Sequence, residues 1–532
     1  MYPGTHAEQA PDRPAVIVAE TGEVMNYLRL DEDSAALARV LHDAGLRRGD
    51  VVALLSDNRP EALVTLWAAL RSGLYITAIN HHLTADEAGY IARDSGAKAL
   101  VASASLRDLA PSVLGPSLRL AFGGAVDGYA SFEEALAGAG PRLTAEPSGA
   151  VMLYSSGTTG FPKGIRPELP DRSVEEPGDP IVAIASARYG ISSDDMYLSS
   201  APIYHAAPLR WCAMVQALGG TVVLAERFDA EATLRHIERY RVTVTQMVPT
   251  MFVRMLKLDP EVRTAHDLSS LRTVIHAAAP CPVDVKQAMI DWLGPIVYEY
   301  YSSTEAHGMT FIDTAEWLAH PGSVGRSALG VLHICDDDGA ELPAGTVGTV
   351  YFERDALPFR YHNDAETTAA AQHPEHPTWT TVGDLGYVDD SGYLYLADRK
   401  SFMIISGGVN IYPQEIENTL TLHPAVFDVA VIGVPDPEMG EQVKAVVQLM
   451  PGLPGSDELA RDLIEYTRDR IAHYKAPRTV DFVDDLPRTP TGKLVKGKLR
   501  ERYLSSPSAR VGTENPGVSR TDADAHRDVM TS

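Results

Sequence analysis

The stretch 154–164 reads YSSGTTGFPKG, and its glycines, hydroxyl side chains and single lysine form a composition suited to phosphate binding. Glycines let backbone N–H groups converge on phosphate oxygens, hydroxyl groups add neutral donors, and the Lys163 ammonium adds a positive charge. The Walker pattern fails because Pro162 precedes this lysine and Gly164 follows it. The stretch therefore predicts a phosphate loop of another type, and the alternative is an ordinary Ser/Thr/Gly surface loop. The candidate phosphate-binding residues are Ser155, Ser156, Gly157, Thr158, Thr159, Gly160 and Lys163.

The elements around this loop follow an α/β pattern, in which short apolar runs alternate with helical periodicity. A strand at 51–55, a helix at 60–70 and a strand at 98–102 illustrate it. An α/β sheet places its ligands in the loops after its strands, so loops rich in small or polar residues are expected to build the site. Four further strands run into such loops, at 221–225, 242–247, 273–275 and 296–300.

The periodic pattern breaks at 398–402 and restarts as a compact α+β unit, with strands expected at 428–433 and 443–449 and helices from Pro413 and near 456–472. We therefore expect a large N-terminal domain at 1–397, a hinge at 398–402 and a small mobile domain at 403–504. The remainder, 505–532, is too polar to bury a core and is expected to be disordered. The segment 166–180, rich in proline and acids, predicts an exposed excursion that is either a lid or inert.

Charge and cysteine usage limit the classes of partner and the compartment. The 532 residues carry a formal net charge of −25, which argues against nucleic acid or an anionic membrane as the main partner. Three scattered cysteines lack CxxC spacing, so they give no zinc signature and fit a reducing compartment. No leader, membrane span or peroxisomal signal is apparent, and we expect a cytoplasmic bacterial enzyme without a transmembrane segment.

Four further segments complete a pattern with the phosphate loop: 300–305 (YYSSTE), 383–384 (GD), 398–417 and 490–493 (PTGK). Together they resemble the adenylate-forming (AMP-binding) superfamily of acyl-CoA synthetases, luciferases and peptide-synthetase adenylation domains, over about residues 5–503. The resemblance implies a reaction in two halves. A carboxylate attacks the α-phosphate of ATP to give an acyl-adenylate, and a thiol then displaces AMP. The carboxylate needs no general base, so the protein supplies positioning and charge stabilisation.

The resemblance also assigns roles to individual residues. Lys493 would bridge the carboxylate and the α-phosphate, Thr304 would donate a hydroxyl there, and Glu305 would hold Mg²⁺ on the phosphates, with Thr159 as a second metal candidate. Read alone, Lys493 would be one more lysine of a basic tract and Glu305 a solvated glutamate. The expected nucleotide contacts are Tyr301 on adenine, Asp384 on the ribose backed by Arg399, an adenine wall of Ala278, Ala279 and Pro280, and Gly407 and Gly408 in a loop that faces CoA after rotation.

Three positions depart from the family pattern. Ala277 replaces a glycine of the adenine wall, and Ser401 stands at the hinge where Asp or Lys is usual. His205, also counted among the catalytic candidates, occupies the place where amino-acid-activating members carry an aspartate. An imidazole cannot replace that counter-ion, which argues against an amino acid substrate. The expected acid pocket comprises His205, Ala206, Ala207, Trp211, Met251, Ala278, Ser302 and Ser303.

The sequence thus predicts an ATP- and Mg²⁺-dependent carboxylic acid:CoA ligase, with an acid, ATP and CoA as small-molecule partners and a dimer as one possible state. Medium to long fatty acids come first as substrates, ahead of aryl, cinnamate-type or steroid side-chain acids. Because no carrier domain follows, CoA is expected as acceptor, and the alternative is an adenylase that loads a separate carrier protein. An inert scaffold would be expected to have lost Lys493, Glu305 or the phosphate loop. A luciferase-type oxygenase would have to be tested by light emission.

Overall fold

The computed structural model describes residues 2–155, 162–399, 401–488 and 494–505. A nine-stranded sheet forms the centre of the large N-terminal domain, and six neighbouring strands in it run parallel. The four strands predicted between 221 and 300 all belong to this sheet. In order across it, the strands are Arg326–Leu329, Met309–Ile312, Val297–Ser302, Thr273–His276, Val244–Met247, Met196–Ser199, Thr221–Leu224, Pro14–Val18 and Val24–Asn26.

A second, six-stranded parallel sheet carries the strand that leads toward the phosphate loop. All five residues of its strand Val51–Leu55 are buried, as expected for a parallel sheet covered on both faces. Its strands, in order, are Ala130–Ser131, Leu118–Phe122, Ala97–Ser103, Val51–Leu55, Tyr75–Ala78 and Ala150–Val151.

Two antiparallel sheets bring distant parts of the chain to the carboxyl edge of the central sheet. A three-stranded sheet joins Arg360–Tyr361, Lys163–Arg166 and Leu153–Ser155, so a strand after residue 360 pairs beside the phosphate loop. The other sheet comprises Val331–Cys335, Gly348–Glu353, Asp384–Val388 and Leu394–Arg399, with Trp379–Thr380 paired to the second of these.

The small C-terminal domain is a five-stranded sheet covered by helices, as the α+β prediction requires. The long hairpin Val426–Asp436 and Gly440–Leu449 forms its centre, and an apolar cluster around Ile416, Val431 and Val447 fills its core. The remaining strands are Val409–Ile411, Ile404–Ser406 and Thr479–Val483.

Helices cover both parallel sheets, and the helix predicted at 60–70 spans Pro60–Leu70. The helix expected near 456–472 is shorter, Asp457–Arg468, and a 3₁₀ turn follows at His473–Lys475. Other 3₁₀ turns are Ala104–Leu106 and Ala110–Ser112. The remaining α-helices are Pro3–Gln9, Tyr27–Asp43, Ala85–Asp94, Phe132–Ala137, Pro180–Tyr189, Ala206–Ala217, Ala230–Tyr240, Pro249–Leu256, Pro260–Thr264, Val283–Leu293, Thr314–Ala319, Ala365–Ala370, Pro413–Thr421 and Lys496–Ser505.

The segment predicted as an exposed excursion is partly anchored. Val174 is buried, its N–H donates to the Glu146 carbonyl at 2.9 Å, and the Tyr75 hydroxyl donates to the Pro167 carbonyl at 2.7 Å. Residues 175–179 are exposed, whereas most of 168–173 are half-buried. Of the predicted tail 505–532, Ser505 ends the helix Lys496–Ser505, and the rest lies outside the described residues. Within the described residues, no helix has the length and apolarity that crossing a bilayer requires.

Candidate functional site

The expected ribose-binding residues form a hydrogen-bonded group between two sheets. Gly383, in the left-handed region with φ 81°, delivers Asp384 to the start of the strand Asp384–Val388. The buried Asp384 carboxylate accepts from the Tyr301 hydroxyl at 2.7 Å and from Arg399 Nε at 3.0 Å. Burial and the neighbouring carboxylate raise the pKa of Tyr301 well above its ordinary value, so its proton stays on the phenol. One carboxylate is therefore oriented by two donors.

The adenine wall follows the strand Thr273–His276, and a buried charged group supports it from below. Ala278 lies in the left-handed region with φ 75°, which an alanine rarely adopts, and it lines the cavity with Ala279 and Pro280. Beneath the wall, Lys286 Nζ contacts the Glu299 carboxylate at 2.6 Å, and both side chains are almost fully buried. This pair joins the helix Val283–Leu293 to the strand Val297–Ser302, which is the neighbour of the strand Thr273–His276.

Glu305 lies in the turn after the strand Val297–Ser302, and its position is set by a residue far along the chain. The Tyr361 hydroxyl donates to Glu305 Oε1 at 2.9 Å. Burial and this carboxylate raise the pKa of Tyr361 far above the usual range, which keeps the hydroxyl a donor. Within the described part of the chain no hydrogen bond reaches the second carboxylate oxygen, so it is open to another ligand. A single held carboxylate fits Mg²⁺, which takes few protein ligands and completes its shell with phosphate and water oxygens.

Lys163 contacts Tyr361 and two residues that follow it in the chain. Its ammonium donates to the Thr367 hydroxyl at 2.7 Å, lies 3.5 Å from the Asp364 carboxylate, and stands 5.7 Å from the centre of the Tyr361 ring. The Lys163 side chain is about one third exposed. It is therefore anchored by weak, partly solvated contacts that a phosphate could replace. Of the other phosphate-loop candidates, Ser155 lines a cavity together with Lys163, and Ser156 to Gly160 lie outside the described residues.

A cavity of about 430 Å³ opens beside Glu305 and Lys163, and it brings together most of the expected acid pocket. His205, Ala206, Ala207, Trp211, Ala278, Ser302 and Ser303 all line it, as does Thr304. Met251 does not, because it packs in an apolar core cluster with Phe252 and Met255. Aromatic rings that were not predicted complete the wall, namely Tyr189, Tyr204 and Tyr300. Trp211 Nε1 donates to the Tyr300 hydroxyl at 3.3 Å.

The hydroxyls of Ser302 and Ser303 are used within the protein. Ser302 donates to the Gly308 carbonyl at 2.7 Å, and Ser303 shares a 2.8 Å hydrogen bond with His307 Nδ1. His307 is fully buried against the Phe352 ring, and burial lowers its pKa to about 4. These contacts hold the backbone of 302–305 in place behind the cavity.

The small domain packs on the large one beside the adenine wall. Lys257 Nζ donates to the Val426 carbonyl at 2.5 Å, the Arg254 guanidinium stacks on the Phe427 ring, and the Gln414 N–H donates to Asp398 at 3.1 Å. Lys493 lies outside the described residues. The residues that flank its segment, Arg488 on one side and Leu494 and Lys496 on the other, line the cavity that the adenine wall bounds.

Gly407 and Gly408 are not brought to this cavity. They form the turn between Ile404–Ser406 and Val409–Ile411, where the Gly407 N–H donates to the Met439 carbonyl at 2.8 Å. Ser401 is exposed, directly after the strand Leu394–Arg399. In this arrangement of the two domains, the glycine turn lines a separate pocket of the small domain with His473 and Arg478.

The three cysteines are free thiols, of which Cys212 and Cys335 are buried and Cys281 is half-buried. Burial raises the pKa of Cys212 to about 12 and that of Cys335 to about 11. Cys281 directly follows Pro280 of the adenine wall, and burial raises the pKa of its thiol as well.

Sequence reasoning missed Tyr361, Thr367, the Lys286–Glu299 pair and the cation Arg210, which also lines the larger cavity. Tyr361 lies in a two-residue strand with no pattern of its own, and its partner Glu305 is 56 positions away. Lys286 and Glu299 left a weaker signal, since each is a charged residue inside an apolar element.

Comparison with known proteins agrees with this geometry. The family profile for AMP-binding enzymes matches residues 4–361, and the profile for their C-terminal domain matches 415–493. Over 511 residues, the chain is 34% identical to a feruloyl-CoA synthase from Amycolatopsis sp, covering 94% of this chain and 98% of that one. It is 32% identical over 511 residues to the long-chain-fatty-acid–CoA ligase FadD13 of Mycobacterium tuberculosis, with coverages of 94% and 97%.

A solved structure resembles the whole chain as well. The o-succinylbenzoate CoA synthetase from Bacillus subtilis, in complex with its acyl-adenylate intermediate, superposes with a TM-score of 0.78 at 27% identity, covering 94% of this chain and 97% of that one. The fold and both family profiles lead to the same conclusion: the chain is a member of the AMP-binding, adenylate-forming enzyme family.

Proposed function

We propose that the protein is an AMP-forming carboxylic acid:CoA ligase. The observation that carries this proposal is the continuity of the two cavities: Ala278, Tyr300, Ser302, Ser303 and Arg399 line both. A nucleotide held by Asp384 and the adenine wall would direct its phosphates toward Glu305 and Lys163. An acid in the larger cavity would then present its carboxylate to the α-phosphate. Juxtaposition of the two reactants is the main contribution that such a reaction needs.

In this mechanism the described residues bind and orient. Asp384 accepts from the ribose hydroxyls while Tyr301 and Arg399 hold it in place. Lys163 leaves Thr367 and Asp364 to contact the phosphates, and Thr304 donates its hydroxyl to the α-phosphate. Glu305, with Thr159 as the second candidate, would hold Mg²⁺, which supplies charge neutralisation on the phosphates when bound. Lys493, carried by the small domain, stabilises the charge that develops between carboxylate and α-phosphate.

The wall of the larger cavity favours an acid with a ring over a long aliphatic chain. Trp211, Tyr300, Tyr189 and Tyr204 offer flat faces, and aromatic pairs gain about 0.5–1.5 kcal/mol beyond area burial. The sequence placed medium to long fatty acids first, and the similarity to FadD13 keeps them as the alternative. The feruloyl-CoA synthase relative acts, by its name, on an aryl acid. We therefore rank acids of cinnamate size ahead of fatty acids.

The test is a pyrophosphate-release screen over aryl acids, fatty acids and amino acids, with and without CoA. We expect turnover with at least one ring-bearing acid, acyl-CoA as product, and no turnover with free amino acids. Holo-carrier protein replaces CoA in a parallel series. Transfer to the carrier but not to CoA would contradict the assigned acceptor, and release of pyrophosphate by no acid would contradict the ligase assignment.

Lys493→Ala separates the two half-reactions. Because the Lys493 ammonium is needed where charge develops on the α-phosphate, we expect adenylation to fall by at least about 100-fold, as for loss of one oxyanion-stabilising donor. Conversion of a supplied acyl-adenylate and CoA into thioester should stay near the wild-type rate. Lys98→Ala, which removes an exposed surface ammonium, is the matched control. An equal loss in both halves would mean that Lys493 acts through stability.

A further inference from the structure

Arg210 places a positive charge in the wall of the acid cavity. It lies on the helix Ala206–Ala217, one turn beyond Ala206 and on the same face, and lines the cavity beside Trp211 and Met214. One helical turn advances about 5.4 Å, so Arg210 lies about that far along the helix from Ala206, and its guanidinium reaches the Thr304 carbonyl. The sequence suggests an apolar pocket at this point, and the structure places a guanidinium there.

The guanidinium has few partners for a partly enclosed cation. Its one recorded hydrogen bond is a long one, from Nη2 to the Thr304 carbonyl at 3.4 Å. Across 2–155, 162–399, 401–488 and 494–505, no carboxylate oxygen lies within 4.0 Å of it, and the charges of Asp179 and Glu305 act from farther away. Burial lowers the pKa of Arg210, the opposite of what a close counter-ion does.

The most deeply buried arginine of the described residues, Arg71, is paired with two carboxylates, Asp31 at 2.8 Å and Glu146 at 2.8 Å. The partly exposed Arg399 contacts Asp384 at 3.0 Å. A guanidinium offers five N–H donors in a planar fork that matches a carboxylate, and leaving it desolvated without an anion is costly. The cavity around Arg210 thus offers a site for an oxyanion that the protein itself does not supply.

We propose that Arg210 is a specificity-determining residue that binds a second carboxylate of the acid substrate. The substrate class is then a diacid or a carboxyl-bearing aryl acid, in which one carboxylate is activated and the other pairs with Arg210. The inference rests on the proposed ligase function and narrows its substrate. The neighbouring rings of Trp211 and Tyr300 hold the part of the acid between its two carboxylates.

An ATP phosphate is the other possible source of an oxyanion. The acid is favoured because Arg210 shares its helix with the cavity residues Ala206, Ala207 and Trp211. The nucleotide side already has Lys163 and Arg399 among its described residues. The kinetic test below distinguishes the two sources by the KM for ATP.

The experiment compares matched acids with the full-length protein. Octanoic acid is paired with octanedioic acid, and cinnamic acid with 4-carboxycinnamic acid, and kcat/KM is measured by ATP-dependent pyrophosphate release. Wild type should prefer the diacid of at least one pair by tenfold or more. Arg210→Met should lose at least tenfold on that diacid, change less than threefold on its monoacid and keep the KM for ATP. Arg210→Lys should retain part of the diacid preference, because it keeps the charge without the fork.

Arg188→Met is the matched control, since Arg188 lies exposed on the neighbouring helix, stacked on Phe311 outside the cavity wall, and its loss should change neither acid. A wild-type enzyme that turns over monoacids without preferring diacids would overturn the role of Arg210 and leave the ligase function standing. An equal loss on both acids with a raised KM for ATP would assign Arg210 to the phosphates and overturn the proposal. No turnover with any acid would overturn the ligase function itself.

Discussion

Tyr361 shows how a single hydroxyl can control a carboxylate in this site. Its O–H donates to Glu305, while its ring faces the Lys163 ammonium. The metal candidate Glu305 and the phosphate candidate Lys163 thus both contact one side chain, which is itself part of a three-stranded sheet. Removing the hydroxyl leaves the ring in place, so the effect of the hydrogen bond can be measured by itself.

Tyr361→Phe should weaken the use of Mg²⁺ more than it weakens the fold. A hydrogen bond to a charged group contributes about 1.5–3 kcal/mol, so the Mg²⁺ concentration for half-maximal adenylation should rise roughly tenfold or more. The readout is a Mg²⁺ titration of pyrophosphate exchange. Tyr395→Phe, which loses a hydroxyl contact to Asp389 elsewhere, is the control. A lowered melting temperature with an unchanged Mg²⁺ titration would make Tyr361 purely structural.

His307 should make stability depend on pH. Its folded pKa of about 4 lies below the unfolded value of about 6.5, so the unfolded chain takes up a proton first as the pH falls. Its contribution is complete above pH 6.5 and is lost progressively toward pH 4, by on the order of 3 kcal/mol in all. His307→Asn keeps a partner for Ser303 and cannot be protonated. Thermal unfolding from pH 7 to pH 4.5 should therefore show a smaller decline for the variant than for wild type, and parallel declines would contradict this.

At the scale of elements, the sequence predicts the parallel strands well because burial on both faces leaves short apolar runs. The runs at 51–55 and 273–275 correspond to Val51–Leu55 and Thr273–His276. Arg399 contacts Asp384, as the family resemblance implies, whereas the hydrogen bond from the Tyr301 hydroxyl to Asp384 was not predicted. Antiparallel additions were not predictable, because pairing of Arg360–Tyr361 with Lys163–Arg166 joins segments almost two hundred residues apart.

The same limit explains why the prediction of the pocket residues was partly wrong. Met251 follows the strand Val244–Met247 in the helix Pro249–Leu256, and helix rotation decides whether it faces the cavity or the core. It faces the core. Arg210 is the reverse case, because it was not predicted in the pocket and yet lines the cavity. Its position on a helix with Ala206, Ala207 and Trp211 does not indicate that a cation faces the cavity there. Both outcomes depend on three-dimensional packing that a periodicity of 3.6 residues does not resolve.

At the scale of the whole molecule, buried polar contacts join the elements of the small domain into one unit. The buried Lys496–Glu417 ion pair, at 2.9 Å, ties the last helix to Pro413–Thr421, and Glu417 also accepts from the Val431 N–H. The segment before Lys496, which contains Lys493, is therefore connected to a rigid unit. The small domain contacts the large domain through polar contacts such as the one from Lys257 Nζ to the Val426 carbonyl.

We propose that the chain pivots near Ser401, where it leaves the strand Leu394–Arg399. Ser401→Pro fixes φ near −65° there and should trap one arrangement of the domains. Adenylation should survive, while thioester formation from supplied acyl-adenylate should fall at least about tenfold. Ser401→Ala, which leaves the backbone free, is the control and should behave as wild type. Near-normal rates of both half-reactions in the proline variant would place the pivot elsewhere.

The cysteine next to the adenine wall raises the question of how the proposed enzyme would avoid acylating itself. An acyl-adenylate is an electrophile that any nearby thiolate would attack, and Cys281 follows the adenine wall directly. A thiol whose pKa is raised by burial stays protonated and reacts slowly, whereas a thiolate reacts readily. Cys281 itself lines neither of the two cavities, although Pro280 and Pro282 on either side of it line the cavity beside the adenine wall. Under the proposed function, a protonated thiol in this position would not compete with the incoming thiol for the acyl-adenylate. Self-acylation would then be suppressed without removal of the cysteine.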